Sequence, residues 1–176
     1  IGALAGGFMG LINQSRDFAQ QMSNLKAVLG DNATPDAVNA LSDSAKKLGA
    51  TTAFTATQVG ELQVELAKMG FDSDQILASS NAVLALASAS GTDLANASAI
   101  AAGTLRGFNL TASDTMRVAD VMAKSFASSS LDITKFQESM KQVAPIASTV
   151  GVSLEEASAS LAVLANRGIS GSLAGN

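Results

Sequence analysis

Apolar residues recur along this chain at helical spacing, and each run lies between a polar opener and a glycine. The clearest run is Thr55 to Phe71, where Val59, Leu62, Leu66 and Met69 step by three, four and three onto one helical stripe. Thr55 offers a side-chain oxygen to the free N–H groups of a first turn, and Gln58 stands where a capping box needs it. Gly70 can take the left-handed conformation that ends a helix, and Phe71 can pack back on the last turn. The same skeleton returns from Thr92 to Gly107-Phe108 and from Ser153 to Gly168-Ile169. Ser153 and Glu156 repeat the capping box, while Ala95 denies it to the middle copy. In the third copy Leu154, Ala157, Leu161 and Leu164 form the stripe. Thr55, Gly70, Thr92, Gly107, Ser153 and Gly168 therefore mark the caps and stops of a recurring unit. It is either an internal repeat or convergent helix punctuation.

Further stripes fill the rest of the chain. Phe18, Met22, Leu25 and Leu29 give a helix from Asn13 to Leu29, broken at Gly30-Asp31-Asn32. Thr34 caps the next, with Pro35 in the first turn and Asp36 near the positive dipole end. Its stripe is Val38, Leu41, Ala45 and Leu48, and Gly49 is its expected stop. A helix from about Ser73 to Ala89 carries Ile76, Val83, Leu84 and Leu86, with Gly91 after it. Ala95, Ala99 and Gly103 form a small-residue ridge, and the nearby Asp93, Asn96 and Ser98 favour a close helix contact in water over one in lipid. Thr111 or Ser113 opens a helix bearing Val118, Val121, Met122 and Phe126, with Arg117–Asp120 and Asp120–Lys124 as expected surface pairs. Asp132 caps a helix through Val143, and Pro145 is expected to kink or end it. No strand is predicted. The fold class is all-α: about eight short to medium helices joined by Gly-terminated turns, in a compact bundle or an irregular helical array. Residues 1–12 form an apolar Gly-rich lead-in, 13–33 a helix and turn leading into the core, and 34–176 one helical core domain.

Composition narrows the function classes. The apolar 47% is rich in Ala, Leu and Val, with seven Phe and no Trp or Tyr, which favours helix over strand. A chain of 176 residues can bury about 70% of its unfolded surface. The net charge of −4 is scattered, without the basic patch of a specific nucleic-acid surface. The chain has no His and no Cys, which removes imidazole catalysis, thiol nucleophiles and His or thiolate metal sites within it. Ile1 to Ile12 is apolar and uncharged, either membrane-seeking or a buried helix, and is too short for the roughly 20 residues of a membrane span. A first residue other than Met and a Gly/Ser-rich last stretch read as a piece of a longer protein.

Candidate chemistry is thin. Glu61 and Glu65 share a helix face, but Lys68 beside them and the absence of an aromatic sugar platform make that a solvated face. Asp72-Ser73-Asp74 begins like a calcium loop and lacks its Gly and closing Glu. Gly168 to Ser172 has the glycines of a phosphate loop without its Lys. The expectation is a non-enzyme with no catalytic, cofactor-binding or metal-binding residue. A non-catalytic Ala-rich helical interaction module, adaptor or chaperone-like, is one function class compatible with it.

Six stretches, in order, point to a second. They are FAQQMSNLKAVLG (residues 18–30), AKKLGATTAFT (45–55), ELAKMGF (65–71), ADVMA (119–123), VAPIA (143–147) and GISGSLAG (168–175). Together they resemble the core region of phage tail tape-measure proteins, over about Arg16 to Gly175. Asp17-Phe18 departs from the Phe-Glu pair often found in that family. The resemblance implies a long, mostly helical protein in the lumen of a virion tail tube, made in the host bacterial cytoplasm. Its length sets tail length while tail-tube subunits assemble around it. Tail-tube and tail-tip proteins are the implied partners, with self-association and, during genome ejection, contact with the host membrane. No catalytic residue is carried over.

Overall fold

Helices account for all the regular structure among the described residues. The computed structural model describes the backbone of residues 2–175 and the side chains of residues 15–175. Among the described residues nine α-helices follow one another: α1 (Gly2–Leu29), α2 (Pro35–Thr51), α3 (Ala56–Lys68), α4 (Ser73–Ser90), α5 (Leu94–Gly107), α6 (Thr115–Ser128), α7 (Ile133–Thr149), α8 (Leu154–Asn166) and α9 (Ser172–Gly175). Short 3-10 turns, Gly30–Asn32 and Ala112–Asp114, precede α2 and α6. The fold is all-α. The reading of the lead-in's side chains as membrane-seeking or buried lies outside the described residues. Among the described residues no helix is long and apolar enough to cross a membrane.

Contacts gather into two compact units, one up to Ser80 and one from Asn81, with the boundary inside α4. In the first, α3 packs against both α1 and α2, and is the most enclosed helix. Of its predicted stripe, Val59, Leu62 and Leu66 are buried and Met69, just past the helix, is half-buried; Gly60, Gln63 and Val64 are buried too. Gly60 lies under α1, where a Cβ would come within 3.2 Å of Gln21 Cβ and 3.1 Å of Met22 Cε. Gln63 is fully buried, and its Nε2 donates to the Leu41 carbonyl of α2 at 3.0 Å. A buried amide needs such a partner, and this one ties α3 to α2.

The second unit packs α5 on α6 and α7, α6 on α8, and α7 on α8 and α9. Its core holds Ala97, Ala101, Leu105, Val118, Met122, Phe136, Leu154 and Leu161. Phe126 meets Phe136 edge to face, ring centroids 5.7 Å apart. Phe108 is buried in this unit as well, and small residues elsewhere in the core let helices approach closely.

Several boundaries differ from the sequence reading. Gly49 does not stop α2, which runs to Thr51. Its missing side chain serves the next helix instead, because a Cβ there would collide with the backbone of Ala56. Pro145 does not end α7, which continues to Thr149. Proline removes one ladder donor, but Ala144 and Ala147 on either side are buried and hold the last turn in place. The ridge Ala95, Ala99, Gly103 makes no close contact: all three are exposed, and Ala99 and Gly103 border an open groove beside α7. Leu164 is half-buried, and Leu161 carries the core position of α8.

Candidate functional site

The helix ends are where this chain's polar side chains work. Thr34 Oγ1 accepts from Ala37 N at 3.2 Å, with Pro35 opening α2. Thr55 Oγ1 accepts from Gln58 N at 3.2 Å while Gln58 Oε1 accepts from Thr55 N at 2.8 Å, a reciprocal capping box. Ser153 and Glu156 make the same box at α8, at 3.3 and 2.9 Å. Asp72, first in the calcium-like triplet, caps α4 in the same manner with Gln75, at 2.9 and 3.0 Å.

The middle copy of the recurring unit is shifted by one. Asp93, not Thr92, caps α5, accepting from Asn96 N at 2.8 Å, and Thr92 Oγ1 accepts from the Asn96 side chain. A carboxylate facing the helix's first N–H groups is favoured over the hydroxyl beside it by charge. Gly107 is likewise not the stop: it is the last helical residue, and Asn109 takes the left-handed conformation at φ 54°. Asn is one of the few side chains that tolerate this region. Gly70 (φ 87°) and Gly168 (φ 82°) hold that conformation after α3 and α8. At all three ends an amide reaches back over the last turn, Phe71 to Leu66 O, Leu110 to Leu105 O and Ile169 to Leu164 O. Val152 does the same to Ala147 O after α7.

Among side chains the strongest cluster lies between α6 and α8. Arg117 donates from Nε and Nη2 to the two carboxylate oxygens of Glu155 at 2.6 and 2.7 Å, and its Nη1 lies 3.8 Å from Asp114. The expected pairs Arg117–Asp120 and Asp120–Lys124 are absent among the described residues: the forked guanidinium is better matched by a carboxylate across the helix interface than by one along its own helix. Glu155 is held below its ordinary value by the Arg117 hydrogen bonds. Asp114 is lowered by hydrogen bonds from the Thr111 backbone and hydroxyl, Glu156 by those from Ser153, and Asp132 first by the Lys135 amide. These carboxylates are fixed as anions. A general acid at neutral pH needs the opposite, a raised value.

Two shallow grooves mark the second unit. One, about 260 Å³, runs between α5 and α7 past Ile100, Gly103, Gly107, Met140, Ala144 and Pro145. The other, about 430 Å³, lies between α6 and α8 beside Arg117, Lys124, Glu155 and Ser158. Glu61 is exposed and Glu65 pairs with Lys68 at 2.8 Å. Among the described residues no group of His, Cys, Asp and Glu is placed to hold a metal ion. The arrangement builds and joins helices.

Comparison with known proteins gives the same direction. A tape measure protein of Pneumococcus phage Dp-1 is 39% identical over 164 residues, covering 93% of this chain and 14% of that protein. A probable tape measure protein of Escherichia phage P2 is 30% identical over 178 residues, covering 99% of this chain and 22% of that protein. The chain thus spans well under a third of either relative. No solved structure matches it. The sequence pattern of one family, described as phage-related minor tail protein, matches residues 42–176, and the chain belongs to that family.

Proposed function

We propose that this chain is a folded, non-catalytic segment of a tape-measure protein, one whose length sets the length of a phage tail. In this reading the protein lies in the lumen of the tail tube, self-associates, and serves as the scaffold around which tail-tube subunits assemble, with tail-tip proteins at its end. It is made in the host bacterial cytoplasm and leaves the tube during genome ejection, when it contacts the host membrane. The observation that carries the reading is likeness along 93% and 99% of the chain to two proteins bearing the tape-measure name. Cap-rich helices, carboxylates fixed as anions and scattered charge suit a scaffold. In-frame deletion of the segment from its gene, with tails measured by electron microscopy, tests the role. Shortened tails or failed tail assembly is expected; intact tails of unchanged length overturn it.

A further inference from the structure

One groove of the second unit holds a polar atom with nothing to bond. Ser158 of α8 is 1% exposed and lines the groove between α6 and α8, and its hydroxyl has no hydrogen-bond partner. Ser98, Ser125, Ser139 and Ser160, also inside helices of this unit, each donate to the carbonyl four residues back. Ser158 makes no such bond, which leaves its hydroxyl to a group from outside its own helix. An enclosed hydroxyl without a partner costs stability, and a polar side chain entering the groove would recover that cost.

The α6 side of the groove is unpartnered too. Arg117, Val121, Lys124 and Ser128 line it and step by four, three and four along the helix. That is the spacing with which one helix lies along another. The buried stripe of α6 is a different one, Thr115, Val118, Ala119, Met122 and Ser125. On α8, Ala159 and Ala162 are small enough to allow a close approach. Asp120 and Lys124, both lining the groove, enter none of the ion pairs of the described residues. The groove's cations, Arg117 and Lys124, balance its anions, Asp120 and Glu155, so it has no net attraction for a polyanion.

We infer that this groove seats α6 of a second copy of the chain, antiparallel, about a two-fold axis level with Met122. The charge pattern decides the occupant. Asp120 and Lys124 lie equally far along α6 from Met122, so an antiparallel copy sets each opposite its counterpart, twice in one contact. Arg117 meets Glu155 and Ser130 meets Asn166, which makes α6 and α8 parallel and puts Ser158 about level with Val121. Lys124 of the second copy then enters beside Asp120 and the Ser158 hydroxyl. The hydroxyl accepts from the ammonium, and the carboxylate neutralises it. Exposed ion pairs add little energy. They fix the partner and the register, and removing Val121, Ala159 and Ala162 from water supplies the attraction. The inference names the surface of the self-association proposed above and rests on that reading.

The test uses full-length protein in which photoreactive benzoylphenylalanine replaces Ala159, an exposed residue of the groove. Copies grown on light and heavy nitrogen are mixed before irradiation, so mass spectrometry separates cross-links between copies from those within one. Cross-links from this position to residues 117–128 of another copy are expected. Asp120→Lys alone, or Lys124→Asp alone, sets like charges opposite each other and should lower their yield at least about tenfold. Both substitutions in one chain restore the attraction and should restore the yield, which separates a lost contact from a lost fold. Cross-links between copies that land elsewhere, or single reversals without effect, overturn the inference and leave self-association standing. A monomer at every concentration in sedimentation velocity overturns both.

Discussion

Gly107 and Ala144 touch across α5 and α7, where a Cβ on the glycine would lie 2.7 Å from the Ala144 Cβ. Gly107→Ala should therefore cost about 1–3 kcal/mol, the range for overpacking a close contact. Ala144→Gly in the same chain should restore part of that loss, since the two residues share one contact, and a double-mutant cycle by urea denaturation reads the coupling. Gly168 is different: nothing lies near a Cβ there, and the strain comes from φ 82°. Gly168→Ala should cost about 1–2 kcal/mol with no neighbour able to relieve it. The carboxylate caps make a third prediction. Glu155, Glu156, Asp114 and Asp132 all have folded values below their ordinary 4.5 or 3.8. Between the two values the unfolded chain binds more protons than the folded one, so stability is complete above about pH 5 and falls as pH drops through the folded values. Arg117→Ala should return Glu155 toward 4.5 in an NMR titration while Glu156, held by Ser153, stays low. A Glu155 titration that does not move would mean that the ion pair is not formed in solution.

Helix starts in this chain are local events, and helix ends only partly so. Thr34, Thr55, Asp132 and Ser153 bond to amides three residues ahead, so residue type and spacing suffice to find them; Asp72 does the same, though the sequence reading placed it only in a calcium-like triplet. Asp93 was missed in favour of Thr92 because both can cap, and the signal that could have chosen is charge beside the helix dipole. Glycines were harder. Gly70 and Gly168 end helices, whereas Gly49 and Gly107 permit close approach by Ala56 and Ala144, and that distinction depends on neighbours remote in sequence. The Arg117–Glu155 bridge was invisible for the same reason. Stripes, by contrast, predicted burial well for Val59, Leu62 and Leu66, and less well for Leu164, which lies at the edge of its stripe. The matching test is truncation: Leu66→Ala and Leu161→Ala should each cost about 2–5 kcal/mol, and Leu164→Ala clearly less. Equal losses at Leu161 and Leu164 by thermal denaturation would contradict the assignment of the α8 core face.

If the segment serves in a tail as proposed, its two compact units, each built from helices that need one another, bound how much length it adds. A continuous helix of 176 residues would measure about 260 Å at 1.5 Å per residue. The described helices from α2 onward have at most 18 residues, and helices of that size are marginal without tertiary partners. Drawing the segment out along a tube would expose Leu62, Leu66, Met122, Phe136 and Leu161, all now buried, unless neighbouring copies covered them in turn. It would also break contacts that no straight helix can keep, among them Gln63 with Leu41 and Arg117 with Glu155. The caps and the left-handed stops at Gly70, Asn109 and Gly168 are local signals, so they favour the same helix ends in either state. An in-frame deletion of the segment should therefore shorten tails by much less than about 260 Å, or block assembly because a folded part is lost. Shortening close to about 260 Å in electron micrographs would keep the tail-length role and reject the compact state, placing the segment in the tube as extended helix. The two lengths are far enough apart for micrographs of ordinary quality to decide between them.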